Sequence, residues 1–194
     1  MSGYGEWPTE CLFSTGLAGT TTTPTAGAVN LVAGWPPIVI PGNYFTRTGA
    51  NTRCLRFAFN FLLTATATVP TFAFSLYTTS VTPPAFAATN LMCTATSTVT
   101  PTAGSNYECW MEGDMFLRTL ALGAGSTIVT SGRVRCPSGF PSPFELTLPP
   151  TGTGNTFATW DSQQQYFLWP ALTLGAATAG NTATAQWGKV WGEN

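Results

Sequence analysis

The sequence predicts an all-β protein: an antiparallel jelly-roll sandwich of about eight to ten strands with an extended N-terminal arm. Hydrophobic and polar residues alternate with a period of two along several segments, as they do in half-buried strands. Gly and Pro recur at short intervals, while the helix formers Glu and Lys are scarce. We expect residues 1–30, which are rich in Gly, Thr and Pro, to form the arm and residues 31–194 to form one sandwich domain.

The most regular alternation lies in residues 106–136, which predict a long hairpin with a loop at residues 122–125. The apolar face of its first arm consists of Tyr107, Cys109, Met111, Gly113, Met115 and Leu117. The predicted cross-strand pairs are Met111 with Cys136, Gly113 with Val134, and Leu117 with Thr130. The same register places Glu112 against Arg135 and Asp114 against Arg133, so the outer face is expected to carry ion pairs.

The other elements follow in chain order. Ile38–Ile40 is a short strand between prolines, typical of a sheet edge. Residues 53–68 and 72–77 both alternate, with phenylalanines on the apolar face, and are predicted to pair as a second hairpin. Residues 91–99, 145–148 and 156–160 predict further strands. The last two strands are expected on either side of a turn at residues 175–181, and residues 166–169 are apolar on both faces, which indicates a central strand or a subunit interface.

Composition excludes several classes of protein. Only 8% of residues are charged, which favours a surface largely covered by other subunits over that of an isolated extracellular-type protein. The seven basic residues are scattered, so nucleic-acid binding is not expected. Five cysteines without a CxxC pair, in a chain without histidine, indicate reduced, buried thiols and no zinc site. With no signal peptide and no apolar run near about 20 residues, we expect synthesis in the cytoplasm and no membrane anchor.

No catalytic motif emerges, and we predict that the chain is not an enzyme and has no cofactor. The absence of histidine removes the common nucleophile and base systems. The carboxylates Glu108, Glu112 and Asp114 form the only acidic cluster, and arginine partners are expected for two of them. Trp110 is the best candidate for a sugar-binding face, although packing beneath a loop or against a subunit would explain it too. Trp187 and Trp191 are expected in the core or at an interface.

Residues 40–194 resemble a known family of virion proteins. The resemblance rests on the order of the arm and the segments LRFAFNFLLTATATVPTFAFSLY, ECWMEGDMFLRTLALGAGSTIVTSGRVR and LTLGAATAGNTATAQWGKVWGEN. The chain is similar to the jelly-roll minor capsid, or decoration, proteins of tailed bacteriophages that infect actinobacteria, some of which are labelled minor tail proteins.

This resemblance implies a homotrimer, assembled in the host cytoplasm, that binds the major capsid protein on the outside of the virion and stabilises the shell. The residues expected to make these contacts are Trp7, Leu12, Tyr166, Phe167 and Trp169. The first alternative is a receptor-binding head domain at the tail fibre or tail tip. A carbohydrate-binding module is the third possibility.

Overall fold

A computed structural model describes residues 10–23, 27–46, 53–66, 72–97, 103–121, 124–136, 144–148, 156–175 and 180–193. These residues form twelve strands and two single turns of 3-10 helix, at Tyr44–Thr46 and Ala88–Asn90. No helix in this part of the chain is long and apolar enough to cross a membrane. The strands are β1 (Glu10–Thr15), β2 (Val29–Asn30), β3 (Ile38–Ile40), β4 (Cys54–Ala65), β5 (Phe72–Thr79), β6 (Leu91–Ser97), β7 (Gly104–Thr119), β8 (Ser126–Cys136), β9 (Phe144–Leu148), β10 (Thr156–Trp160), β11 (Tyr166–Leu174) and β12 (Thr182–Glu193).

The strands form two antiparallel sheets packed face to face. The large sheet has the order β1-β12-β4-β7-β8-β10, with β9 also paired to β8; the small sheet has the order β2-β11-β5-β6, with β3 also paired to β11. Some strands that follow one another along the chain, such as β4 and β5 or β11 and β12, lie in opposite sheets. This is the double Greek-key connectivity of a jelly roll, extended at the β7 edge by β8, β9 and β10. The predicted fold class is confirmed.

Phenylalanines fill the space between the sheets. Phe57, Phe59 and Phe61 project inward from alternate positions of β4, and adjacent rings along the strand lie 6.1 and 6.2 Å apart between centroids. Phe61 continues the stack across the sandwich to Phe74 of β5, at 6.1 Å. All four side chains are at most 1% exposed, and the burial of each contributes about 1.5 to 3 kcal/mol.

The predicted hairpin of β4 and β5 is wrong. β4 pairs with β12 and β7 in the large sheet, whereas β5 pairs with β11 and β6 in the small sheet. Their apolar faces meet across the core instead of lying side by side. Alternation shows which side chains of a strand are buried, but two matching apolar faces fit both arrangements.

The hairpin of β7 and β8 exists, but the predicted register is wrong by two residues. Met111 lies opposite Val134 instead of Cys136, Gly113 opposite Gly132 and Leu117 opposite Ile128. A shift of two leaves every side chain on its predicted face, so the hydrophobic pattern cannot detect it. Two glycines that face each other let the strands approach closely, since a Cβ atom on Gly113 would lie 2.9 Å from the Cα of Gly132.

The described part of the predicted arm lies on the sandwich itself. β1 pairs with β12, and Phe13 of β1 is buried against Trp35 with ring centroids 5.6 Å apart. Farther along, the amide of Gly19 donates to the carbonyl oxygen of Ala185 at 2.9 Å. Residues 10–23, which include Leu12, therefore pack on their own domain. Trp7 lies outside the described residues.

Candidate functional site

Charge is concentrated on one face of the sandwich. The strands of the small sheet contain no charged residue. In contrast, charged residues line the solvent side of the large sheet, where nine of them lie at the paired positions of β4, β7, β8, β9 and β12. They are Arg56, Glu108, Glu112, Asp114, Arg133, Arg135, Glu145, Lys189 and Glu193.

The observed register arranges this face into rows that run across the strands. Each row takes one outward side chain from β12, β4, β7 and β8 in turn, because residues paired across neighbouring strands project to the same side. A register shift in β12 between Ala185 and Trp187 determines which of its residues join the rows. The first row is Trp187, Asn60, Trp110 and Arg135; the second is Lys189, Ala58, Glu112 and Arg133; the third is Trp191, Arg56, Asp114 and Ser131.

A cavity of about 540 Å³ lies along the second and third rows, and we call it the trough. Its base is low because Ala58 is small, and the backbone of Gly113 and Gly132, whose side-chain positions face the core, completes it. Its walls are formed by the side chains of Arg56, Glu112, Asp114, Ser131, Arg133 and Trp191. A volume of this size lies within the range of about 300 to 1,000 Å³ that small-molecule sites occupy.

Ion pairs hold the charged walls in place. Arg56 contacts Asp114 at 2.9 Å and Glu193 at 3.0 Å, and the Nε of Arg133 donates to Glu112 at 2.5 Å. These side chains are between 31% and 46% exposed, so solvent screens the pairs and each contributes little to the stability of the fold. The hydrogen bond to Glu112 and the negative charge of that residue raise the pKa of Arg133, which therefore stays protonated.

The ion pairs differ from the predicted ones as a result of the register. Glu112 pairs with Arg133 instead of Arg135, and Asp114 pairs with Arg56 of β4. Arg135 instead lies 3.5 Å from Glu145 of β9. Within the described residues, no group of three or more histidine, cysteine, aspartate or glutamate side chains is placed to hold a metal ion.

Three tryptophans lie on the outer face, and they differ in their surroundings. Trp110, the predicted ligand face, packs edge-on against Trp187 with ring centroids 5.2 Å apart. Between the two lies Asn60, which is 3% exposed and donates through Nδ2 to Glu108 at 2.9 Å. Trp191, which was expected in the core or at an interface, borders the trough. The alternation in the sequence predicted that Trp187 and Trp191 share one face. Which tryptophan borders a cavity depends on the residues of the adjacent strands, which the alternation does not reveal.

Trp191 is held by neighbours on its own strand. Its Nε1 donates to the Oε1 of Glu193 at 3.2 Å. The ammonium of Lys189 lies 5.0 Å from the ring centroid, within the distance of a cation–π contact. Both contacts limit the rotation of the ring, so Trp191 is a fixed wall of the trough.

Comparisons with known proteins identify no family. No family model matches the chain, and no curated protein matches it. Among solved structures, the chain is similar to the CBM2 module of the evolved Dit of Lactobacillus casei BL23 phage J-1, at 13% sequence identity and a TM-score of 0.37, with 96% of each chain covered. At these values the likeness adds nothing to the assignment of a function.

Most of the residues that were predicted to contact other subunits make contacts within their own chain. Tyr166 stacks on Trp160 with ring centroids 4.0 Å apart, and Trp169 is 5% exposed and donates through Nε1 to Thr79 at 2.8 Å. Leu12 packs partly against the core, and Phe167 stays partly exposed. β11 is thus a central strand, with β2 and β3 on one side and β5 on the other. Of these residues, Leu12 and Phe167 both pack partly against the core and keep part of their surface exposed.

The five cysteines are free, in three different environments. Cys93, Cys109 and Cys136 are buried, Cys54 is half-buried and Cys11 is exposed, so the prediction of buried thiols fails for Cys11. Burial raises the pKa of Cys93 to about 12. Burial, together with the nearby charge of Asp114, raises the pKa of Cys54 to about 12. These thiols therefore stay protonated at neutral pH and are poor nucleophiles.

Proposed function

We propose that this chain is a structural protein of a bacteriophage virion, and that it binds the outside of the capsid as a homotrimeric decoration protein. The observation that carries the proposal is the absence of charge from all five strands of the small sheet. A protein surface without charge can be covered by another subunit at little desolvation cost, whereas a surface of ion pairs cannot. The resemblance to decoration proteins favours the same role.

We assign the contact between copies of the chain to the outer face of the small sheet. Phe167 of β11 projects from this face beside Val39 of β3, and both are partly exposed. Phe86, in the segment after β5, packs on Tyr77 with ring centroids 5.0 Å apart and adds to the same uncharged surface. Aromatic side chains are enriched at the centres of interfaces, where charged residues are depleted.

The oligomer is tested by the mass of the purified protein. We expect native mass spectrometry to give three times the 20.5 kDa mass of the chain. The variant Phe167→Arg should be a folded monomer, while the control Thr147→Arg, at an exposed position of β9 in the large sheet, should remain trimeric. A monomeric wild-type chain, or a trimer that survives Phe167→Arg, would contradict this interface.

The location is tested by the copy number of the chain relative to the major shell protein in purified particles. A decoration protein should be present in on the order of hundreds of copies, because it repeats with the symmetry of the shell. A handful of copies would favour the tail. Removal of residues 1–9, which include Trp7 but leave β1 intact, should weaken shell binding without unfolding the sandwich. Unchanged shell binding would eliminate Trp7 as a contact.

A receptor-binding head or a carbohydrate-binding module is the second candidate, and the trough favours it. An open cavity with an aromatic wall and several polar groups suits ligand recognition. Binding of the purified chain to whole host cells would distinguish this role from a purely mechanical one. Particles that carry only a few copies, together with such binding, would favour the second candidate.

A further inference from the structure

We propose that the trough binds a neutral saccharide, with Trp191 as the stacking surface and the ion-paired side chains as hydrogen-bond partners of its hydroxyl groups. This site would operate on a shell or on a tail alike, because it lies on the solvent side of the large sheet. It gives a ligand class to the second candidate function, and it also stands if the decoration role is correct.

The shape of the trough fits a chain-like ligand. It extends along two rows of the sheet, and its base consists of Ala58 and of backbone at Gly113 and Gly132. A ligand can enter from solvent without any movement of the protein.

The charges favour a neutral ligand over an ion. Two guanidinium groups, on Arg56 and Arg133, face two carboxylates, on Glu112 and Asp114, and the four charges sum to zero. A phosphate or sulfate group would meet a carboxylate beside each arginine, and a cation would meet an arginine beside each carboxylate. Neither ion would gain a net electrostatic attraction.

The same side chains retain hydrogen-bonding capacity. A guanidinium group has five N–H donors and a carboxylate accepts about four hydrogen bonds, so the two ion pairs of Arg56 and the two of Arg133 use only part of these groups. The Glu112 and Asp114 side chains are 37% and 31% exposed, and Arg56 and Arg133 are each 46% exposed. Hydroxyl groups donate and accept, so a polyol could bridge donors and acceptors that alternate along the walls. Ser131 adds a hydroxyl group at one end of the third row.

Trp191 provides the apolar surface that a sugar ring requires. One side of a pyranose ring presents C–H groups, and these pack against flat aromatic faces. The ammonium of Lys189 covers one face of the indole, so the proposed sugar ring stacks on the opposite face. Because Glu193 already holds the edge of the indole, little conformational entropy is lost when a ligand stacks on it. Trp110 is less suitable, since its contact with Trp187 occupies part of its surface and it lies in the first row, outside the trough.

The test is binding of the purified full-length chain to an array of immobilised neutral and acidic oligosaccharides, followed by calorimetry with the best soluble ligand. We expect binding to at least one neutral oligosaccharide, with little dependence on salt. Trp191→Ala should weaken it at least tenfold. Ala58→Leu, which fills the base of the trough and keeps the indole, should also weaken binding. This second variant shows whether the loss of binding in Trp191→Ala comes from the trough or from a folding defect.

Two matched controls share this face but lie outside the trough. Arg135→Ala removes an arginine from the first row and Trp110→Ala removes a tryptophan from it, and both should bind like the wild type. Absence of binding to every neutral oligosaccharide would overturn the proposal. So would binding that falls steeply with salt, or binding that is lost in Trp110→Ala and kept in Trp191→Ala. The trough variants should keep the oligomeric mass and the copy number of the wild type, so this outcome is independent of the decoration role.

Discussion

The substitution Gly132→Ala tests the observed register of β7 and β8 directly. A Cβ atom on Gly132 would overlap the carbonyl oxygen of Glu112 and would lie 2.8 Å from the Cα of Gly113. Real Cβ atoms essentially never approach other heavy atoms within 3.0 Å, and both of these atoms belong to backbone that is hydrogen-bonded in the sheet. The strands must separate, and we place the cost near the upper end of the range of about 1 to 3 kcal/mol for overpacking.

For a chain of this length a loss of about 3 kcal/mol lowers the melting temperature by about 6 to 12 °C. Differential scanning calorimetry on the wild type and the variant measures it. Gly16→Ala is the matched control, because nothing lies within 4 Å of a Cβ atom at that position. We expect that control to change the stability by less than about 0.5 kcal/mol. Equal melting temperatures for both variants would refute the register, since the predicted register opposes Gly132 to a different residue.

Three further predictions concern the thiols and one buried amide. At pH 8, a chromogenic disulfide reagent should label Cys11 rapidly and Cys93 only after unfolding, because Cys11 is exposed and burial raises the pKa of Cys93 to about 12. Between pH 9 and 12 the unfolded Cys93 thiol loses its proton while the native thiol keeps it. Cys93 should therefore lower the free energy of unfolding by about 1.4 kcal/mol per pH unit in this range. In urea titrations, the free energy of unfolding of Cys93→Ala should fall less steeply with pH by that amount. Asn181 accepts hydrogen bonds from the amide and the hydroxyl of Thr66 at 2.7 and 3.0 Å, so Asn181→Ala should cost about 1 to 3 kcal/mol in the same assay.

The sequence was sufficient to predict which side chains of the long strands are buried and which point outward. Met111, Met115 and Val134 are buried as the alternation requires, and Arg133 points outward. A pattern with a period of two contains this information and no more, because it is unchanged by a shift of two residues. The register therefore depended on contacts that local sequence does not encode, above all the approach of Gly113 to Gly132.

Sheet membership was harder to predict for the same reason. β4 and β5 are adjacent in the chain and both carry phenylalanines on one face, which fits a hairpin as well as two strands that face each other across a core. The neighbours that decide between these arrangements come from distant parts of the chain. β4 lies between β7 and β12, and β5 lies between β6 and β11.

The functional site depends on these lateral neighbours even more strongly. Trp110 and Trp191 are both outward residues, and the sequence favoured Trp110 because acidic residues surround it in the chain. Across the sheet, Trp110 meets the edge of Trp187, whereas Trp191 lies in the row of Arg56. Only the order of β12, β4 and β7 reveals that difference.

The segregation of charge makes the two proposals compatible in one molecule. A subunit that covered the large sheet would have to remove water from the pairs formed by Arg56 and Arg133, and the attraction within each pair would not repay that cost. A subunit that covers the small sheet removes water from threonine, alanine and aromatic surface at much lower cost. Assembly through the small sheet would therefore leave the large sheet exposed to solvent. A chain that forms a trimer in this way would keep the trough, and Trp191 within it, accessible to a saccharide in solution.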